Sequence, residues 1–140
     1  MKWKVDTYSC DLGSEELIIT REKHGWYLES EALCDLFKTL ADAKKKAESL
    51  YGEEDVCFSP TAWSLDVKCV HPAGDEDKLS AFIERMGPGV YMVEVIGPYI
   101  EVATGTALVA PSLSQAKKAC EHAIKGLLNF LETLGWKVKK

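Results

Sequence analysis

The sequence predicts an α+β fold, with antiparallel sheet packed on helices, and three observations carry that reading. Short β-branched stretches alternate in polarity and are separated by Gly, Pro and Asn/Asp/Ser turns, as in Leu17-Ile18-Ile19-Thr20 and Val90 to Ile96. Two longer segments repeat apolar residues at helical spacing behind a capping hydroxyl, Thr39 and Ser112. The patterns group into two strands-then-helix units, which pack most simply with antiparallel sheet on one side and helices on the other.

Each element follows in order. Residues 2–8 read as a strand, and Leu17–Thr20 as a second. Lys23-His24-Gly25 is a hairpin turn, with glycine where positive φ is cheap. From Trp26 the even positions (Trp26, Leu28, Ser30, Ala32, Cys34, Leu36) are drier than the odd ones, which predicts one long strand. Thr39 caps a helix with Asp42 at its third position. Leu40, Ala43, Ala47 and Leu50 form its buried side and Gly52 its stop. Glu53-Glu54-Asp55 opens a polar linker.

Trp63, Leu65, Val67 and Cys69 alternate with Ser64, Asp66 and Lys68 as a further strand, broken by His71-Pro72-Ala73-Gly74. Asp75-Glu76-Asp77 then supplies the acidic first turn that a helix dipole favours. Leu79, Phe82, Ile83 and Met86 give the stripe of a predicted helix over 75–86, ended by Gly87-Pro88-Gly89. Val90–Ile96 and Tyr99–Val109 are strands around Gly97-Pro98. Ser112, with Gln115 completing a capping box, starts the longest helix, with Leu113, Ala116, Cys120, Ala123, Ile124, Leu127, Leu131 and Leu134 on one face. Gly135 ends it.

The predicted order is βββα-βαββα. Thr39-Leu40-x-x-Ala43-Lys44-Lys45 matches Ser112-Leu113-x-x-Ala116-Lys117-Lys118, and Gly25-Trp26-Tyr27 sits opposite Pro98-Tyr99-Ile100 at the same offset. These matches favour two related units, 1–52 and 56–135, with a tail at 136–140, in one domain spanning 1–140. The chain of 140 residues is long enough to bury a core without staples.

Composition narrows function. With 46% hydrophobic and 28% charged residues the chain is an ordinary globular protein, and no apolar run approaches the ~18 residues of a membrane span. The five cysteines (10, 34, 57, 69, 120) are odd in number and form no C-x-x-C. The opening Met-Lys-Trp-Lys-Val-Asp has no apolar export stretch, so a reduced, cytoplasmic protein is expected.

Cys69-Val70-His71 and Cys120-Glu121-His122 share a C-x-H spacing. On a helix that spacing puts the two side chains on opposite sides, and the strand pair lacks partners at zinc spacing, so no metal is expected. Phosphate loops, nucleophile elbows and H-E-x-x-H are absent, and no catalytic constellation or cofactor is expected.

Charge is uneven. Residues 1–111 carry 11 basic against 20 acidic side chains, and residues 112–140 carry 6 against 2, for a net charge of −5. The acidic body favours a basic protein partner. The expected contacts are Glu53, Glu54 and Asp55, then Asp75, Glu76 and Asp77. Trp136, in the lysine-rich tail, is a further candidate contact, although for this residue folding back onto the sheet is the favoured expectation. Lys118, His122 and Lys125 form a basic face on the last helix.

Gly25-Trp26-Tyr27 followed by Thr39-Leu40-Ala41-Asp42-Ala43-Lys44 resembles the hairpin-plus-capped-helix units of small bacteriophage and mobile-element accessory proteins. The resemblance implies a protein that binds and blocks a host or competitor protein. The resulting expectation is a small acidic, non-catalytic binder that inhibits or sequesters a macromolecule, of the phage anti-defence or immunity-protein type. Two other readings stay open. One is a small-ligand or nucleotide binder with a cleft between the units, and the other is nucleic-acid binding through Lys118, His122 and Lys125. No membrane partner is expected, and a homodimer stays open.

Overall fold

The computed structural model describes residues 2–98 and 108–139. The fold is α+β, with antiparallel strands and two helices, and the chain divides into two units, Val5–Ala62 and Met1–Lys4 with Trp63–Lys140.

In the unit Val5–Ala62, β1 (Lys4–Asp11), β2 (Glu16–Glu22), β3 (Gly25–Glu29) and β4 (Cys34–Phe37) form an antiparallel meander in that spatial order, followed by α1 (Leu40–Tyr51). The register Cys10↔Leu17, Tyr8↔Ile19↔Leu28 puts Tyr8, Cys10, Leu17, Ile19 and Leu28 on one face. There Cys10, Leu17, Ile19 and Leu28 meet Ala43 and Ala47 of α1, and all six are buried. Each fully buried Leu or Ile contributes about 1.5–3 kcal/mol, and the helical alanines leave room for those larger side chains. The helix begins as the sequence predicts. Thr39 Oγ1 accepts from the Asp42 amide at 3.1 Å, and the Gly52 amide closes the last turn on the Glu48 carbonyl.

The single long strand expected from Trp26 to Leu36 is two strands. Ser30 Oγ accepts from the Ala32 and Leu33 amides at 3.3 and 3.1 Å, while the Ser30 amide donates to the Leu33 carbonyl, folding a turn between β3 and β4. A serine that satisfies nearby backbone amides competes with strand extension. The turn breaks the even-position rule. Leu28 faces the core, whereas Leu36, paired with Tyr27, lies on the opposite face and is exposed.

In the unit that holds Trp63–Lys140, β5 (Ser59–Val70, which starts before the division), β6 (Glu76–Gly87), β7 (Val90–Ile96) and β8 (Leu108–Ala110) are neighbours in that order. Next come α2 (Leu113–Thr133) and the two-residue β9 (Lys137–Val138), which pairs with β5. The helix expected over 75–86 is strand β6. Leu79, Phe82, Ile83 and Met86 fit a helical stripe, but Leu79, Ala81 and Ile83 also alternate. These three are buried together with Ser80, which hydrogen-bonds Asp66 on the other face, whereas Phe82 and Met86 are exposed. The Pro88-Gly89 loop, with Gly89 at φ +71°, makes a tight hairpin that hands β6 its antiparallel partner through Ala81↔Val95 and Ile83↔Val93. Two residues between strands leave no space for the predicted helix to end and a strand to begin.

Ala116, Cys120, Ile124 and Leu131 of α2 are buried, in a helix that packs on β6 and β7. Ser112 Oγ accepts from the Gln115 amide at 3.2 Å, so both helices open with the same cap. The hairpin match at Tyr99-Ile100 and most of the strand expected over Tyr99–Val109 lie outside the described residues. Within them that strand is β8. The division into units falls inside β5, between Ala62 and Trp63.

Candidate interaction surface

In β5–β8 one sheet face carries α2, and among the described residues the other carries no helix. Alternation places Trp63, Leu65 and Cys69 of β5 on the α2 side with Leu79, Ala81, Ile83 and Val93, where the rings of Trp63 and Tyr91 lie 6.1 Å apart. The helix-free side is fixed by the Ser80 hydroxyl, which donates to Asp66 Oδ1 at 2.6 Å. The register Phe82↔Glu94 and Glu84↔Met92↔Val109 continues that side across β6, β7 and β8.

Phe82 is 40% exposed and Val109 65% exposed, with the exposed carboxylates of Glu84 and Glu94 beside them. At the hairpin end of the sheet Met86 and Val90 are exposed as well. Burying Phe82 and Val109 requires an apolar surface, and neutralising Glu84 and Glu94 requires cations. Exposed apolar residues rimmed by polar ones are the arrangement that interaction sites display. Sequence reasoning missed it because Phe82 was assigned to the buried stripe of a helix. The signal was the Ser80-x-Phe82-x-Glu84 alternation, legible only once β6 is read as a strand.

The expected contact residues fall in both units. Glu53, Glu54 and Asp55 are exposed in the turn after α1, where the Asp55 amide donates to the Gly52 carbonyl at 3.3 Å. Asp75, Glu76 and Asp77 are exposed in the other unit, at the start of β6. The Lys139 ammonium donates to Glu76 Oε1 at 2.7 Å, and that bond and its charge hold the Glu76 carboxyl below its usual range. Trp136 is not available as a surface contact. It folds back, is 6% exposed, and its ring meets His71 edge-on at 5.3 Å. The physical reason is the Gly135 turn at φ +97°, which lets the Trp136 amide return to the Leu131 carbonyl at 3.0 Å. Lys118, His122 and Lys125 are exposed along α2, turned from its buried residues.

Nucleophilic chemistry finds little support. Burial pushes the Cys120 thiol up to about 11, and burial with the nearby Asp77 charge raises that of Cys69. Both therefore stay protonated near neutral pH. Cys34 is exposed and hydrogen-bonded to the Tyr27 hydroxyl, which raises the Tyr27 pKa. His24 is exposed in its turn, and His71 is engaged with backbone at both ring nitrogens. Among the described residues no group of three or more His, Cys, Asp or Glu is placed to hold a metal ion, and no helix is long and apolar enough to cross a membrane. Comparison of the chain with protein-family models, curated protein sequences and solved structures found no match.

Proposed function

We propose that this protein is a non-catalytic binder that sequesters or inhibits a basic protein partner, and that the helix-free face of β5–β8 is its contact surface. The observation that supports the reading is the pairing of exposed Phe82 and Val109 with Glu84 and Glu94 on one sheet face. The net charge of −5 acts in the same direction, steering a cationic partner at long range. The resemblance to phage and mobile-element accessory proteins fits an inhibitor of this kind.

Affinity capture of the tagged chain after nuclease treatment tests it, run alongside Phe82→Ser/Val109→Ser and Glu84→Lys/Glu94→Lys. One stoichiometric basic protein should be retained by the wild type and lost from both variants, with their thermal unfolding unchanged. The same proteins retained by all three would refute the surface. A nuclease-sensitive partner that depends on Lys118 and Lys125 would move the function to nucleic acid.

A further inference from the structure

β9 holds its place with little. Its pairing is Val138 opposite Cys69 and Lys137 opposite Val70, extended by the Lys139 amide donating to the Lys68 carbonyl at 2.8 Å. The residue before it is anchored, since Trp136 is buried against His71 and bonded to Leu131. After Trp136 the character changes, and Lys137, Val138 and Lys139 are all exposed, Val138 at 48%. A cleft of about 190 Å³ borders Val138, floored by Cys69, Leu128, Leu131 and Trp136. A second, of about 230 Å³, lies by Lys139 among Lys68, Glu76, Asp77 and Lys78. The side chains of β9 therefore leave space unfilled beside the strand they pair with. The ion pair between Lys139 and Glu76 is exposed on both sides, and such pairs add little stability. Segments with few buried contacts and solvent-exposed pairing open at the low end of the local stability range.

We propose that β9 is a displaceable strand, and that the β5 edge beneath it, Lys68–Val70, docks an extended protein segment alternating basic and aliphatic residues. Such a segment would pair with the backbone of Lys68 and Val70 as β9 does. An aliphatic side chain larger than valine fills the apolar cleft over Leu128, Leu131 and Trp136, and a cation reaches Glu76 and Asp77. Backbone pairing supplies affinity and the alternate side chains supply specificity, the usual division in strand addition. The chain's own Lys137-Val138-Lys139 has the same basic-aliphatic-basic pattern, so it acts as the resident competitor. A second copy of the chain is disfavoured as the occupant because two molecules of net charge −5 repel. The proposal does not depend on Phe82, Glu84, Glu94 or Val109, the residues that carry the proposed contact surface.

The test is a fluorescence-anisotropy titration with a labelled peptide, Lys-Ile-Lys-Leu-Lys, against wild type, Lys139→Ala and Val138→Gly/Lys139→Ala. Loosening β9 raises the fraction of molecules with a free edge, and apparent affinity rises by that ratio. The double variant should bind at least 10-fold tighter than wild type, with Lys139→Ala between them. Adding Glu76→Gln/Asp77→Asn to the loosened protein should weaken binding several-fold, whereas Phe82→Ser should leave it unchanged. Three results would each overturn the proposal: equal affinity in all three proteins, no binding to the natively folded double variant at millimolar peptide, or a loosened variant that dimerises by exchanging β9.

Discussion

Replacing His71 with alanine removes a side chain that ties the turn after β5 to the end of α2. His71 Nδ1 accepts from the Ala73 amide at 3.0 Å, which leaves Nε2 to carry the proton, and Nε2 lies 3.0 Å from the Leu134 carbonyl oxygen. The ring also meets Trp136 edge-on at 5.3 Å. Each hydrogen bond is worth about 1 kcal/mol net and an aromatic edge contact about 0.5–1.5. The site is partly open to water, so each hydrogen bond falls somewhat below that mean and the ring contact lies at the low end of its range, and His71→Ala should cost about 2 kcal/mol. For a chain of this length that lowers the melting temperature by roughly 6–8 °C.

The three contributions separate by substitution. His71→Asn keeps an acceptor near the Ala73 amide and loses the reach to Leu134, so it should recover part of the loss. His71→Phe keeps the ring against Trp136 and loses both hydrogen bonds. Thermal unfolding followed by far-UV circular dichroism gives the stability, and near-UV signals report on the tryptophan environment. A His71→Ala protein within about 0.5 kcal/mol of wild type would refute the reasoning, because water would then satisfy Ala73 and Leu134 equally well.

Two further outcomes follow from local geometry and burial. A Cβ at Gly25, where φ is +154°, would strike the Phe37 carbonyl oxygen across the β3–β4 pair. Gly25→Ala should therefore cost more than about 3 kcal/mol and expose Trp26, read as a red shift in emission and a lower urea midpoint. The Cys120 thiol, pushed up to about 11 by burial, holds its proton in the folded state at a pH where an unfolded thiol, with a pKa of about 8.5, has lost it. Its contribution is complete below that unfolded value and is lost as pH rises through about 11, to the extent of about 3 kcal/mol. Urea midpoints of wild type should fall between pH 8 and pH 10.5 more than those of Cys120→Ala, and parallel slopes would refute the assignment.

Much of the fold was legible because its signals are local. The Thr39 and Ser112 caps, the stops at Gly52 and Gly135, and the Lys23-His24 turn each depend on groups within a few residues of one another. The stretch 76–87 was not legible in the same way, since its apolar residues satisfy a helical and a strand period at once. What settles it is Val93 and Val95 across the hairpin, with α2 covering the face so formed. The candidate surface inherits that ambiguity. Phe82 points into a core if the segment is a helix and into solvent if it is a strand.

By itself, then, the sequence determined the α+β class, both helix starts and stops, the acidic charge balance and the absence of recognised catalytic motifs. Composition, capping and turn chemistry act over a handful of residues, and no distant contact is needed to read them. Tertiary structure alone decided that β6 is a strand, that Ser30 splits the stretch after Trp26, which groups bury Trp136 and that β9 covers the β5 edge. Each of those outcomes depends on which groups satisfy a backbone bond or fill a space. For β6, Trp136 and β9 the partners come from other elements, as with Cys69 opposite Val138 and His71 against Trp136, and short-range periodicity carries no information about them.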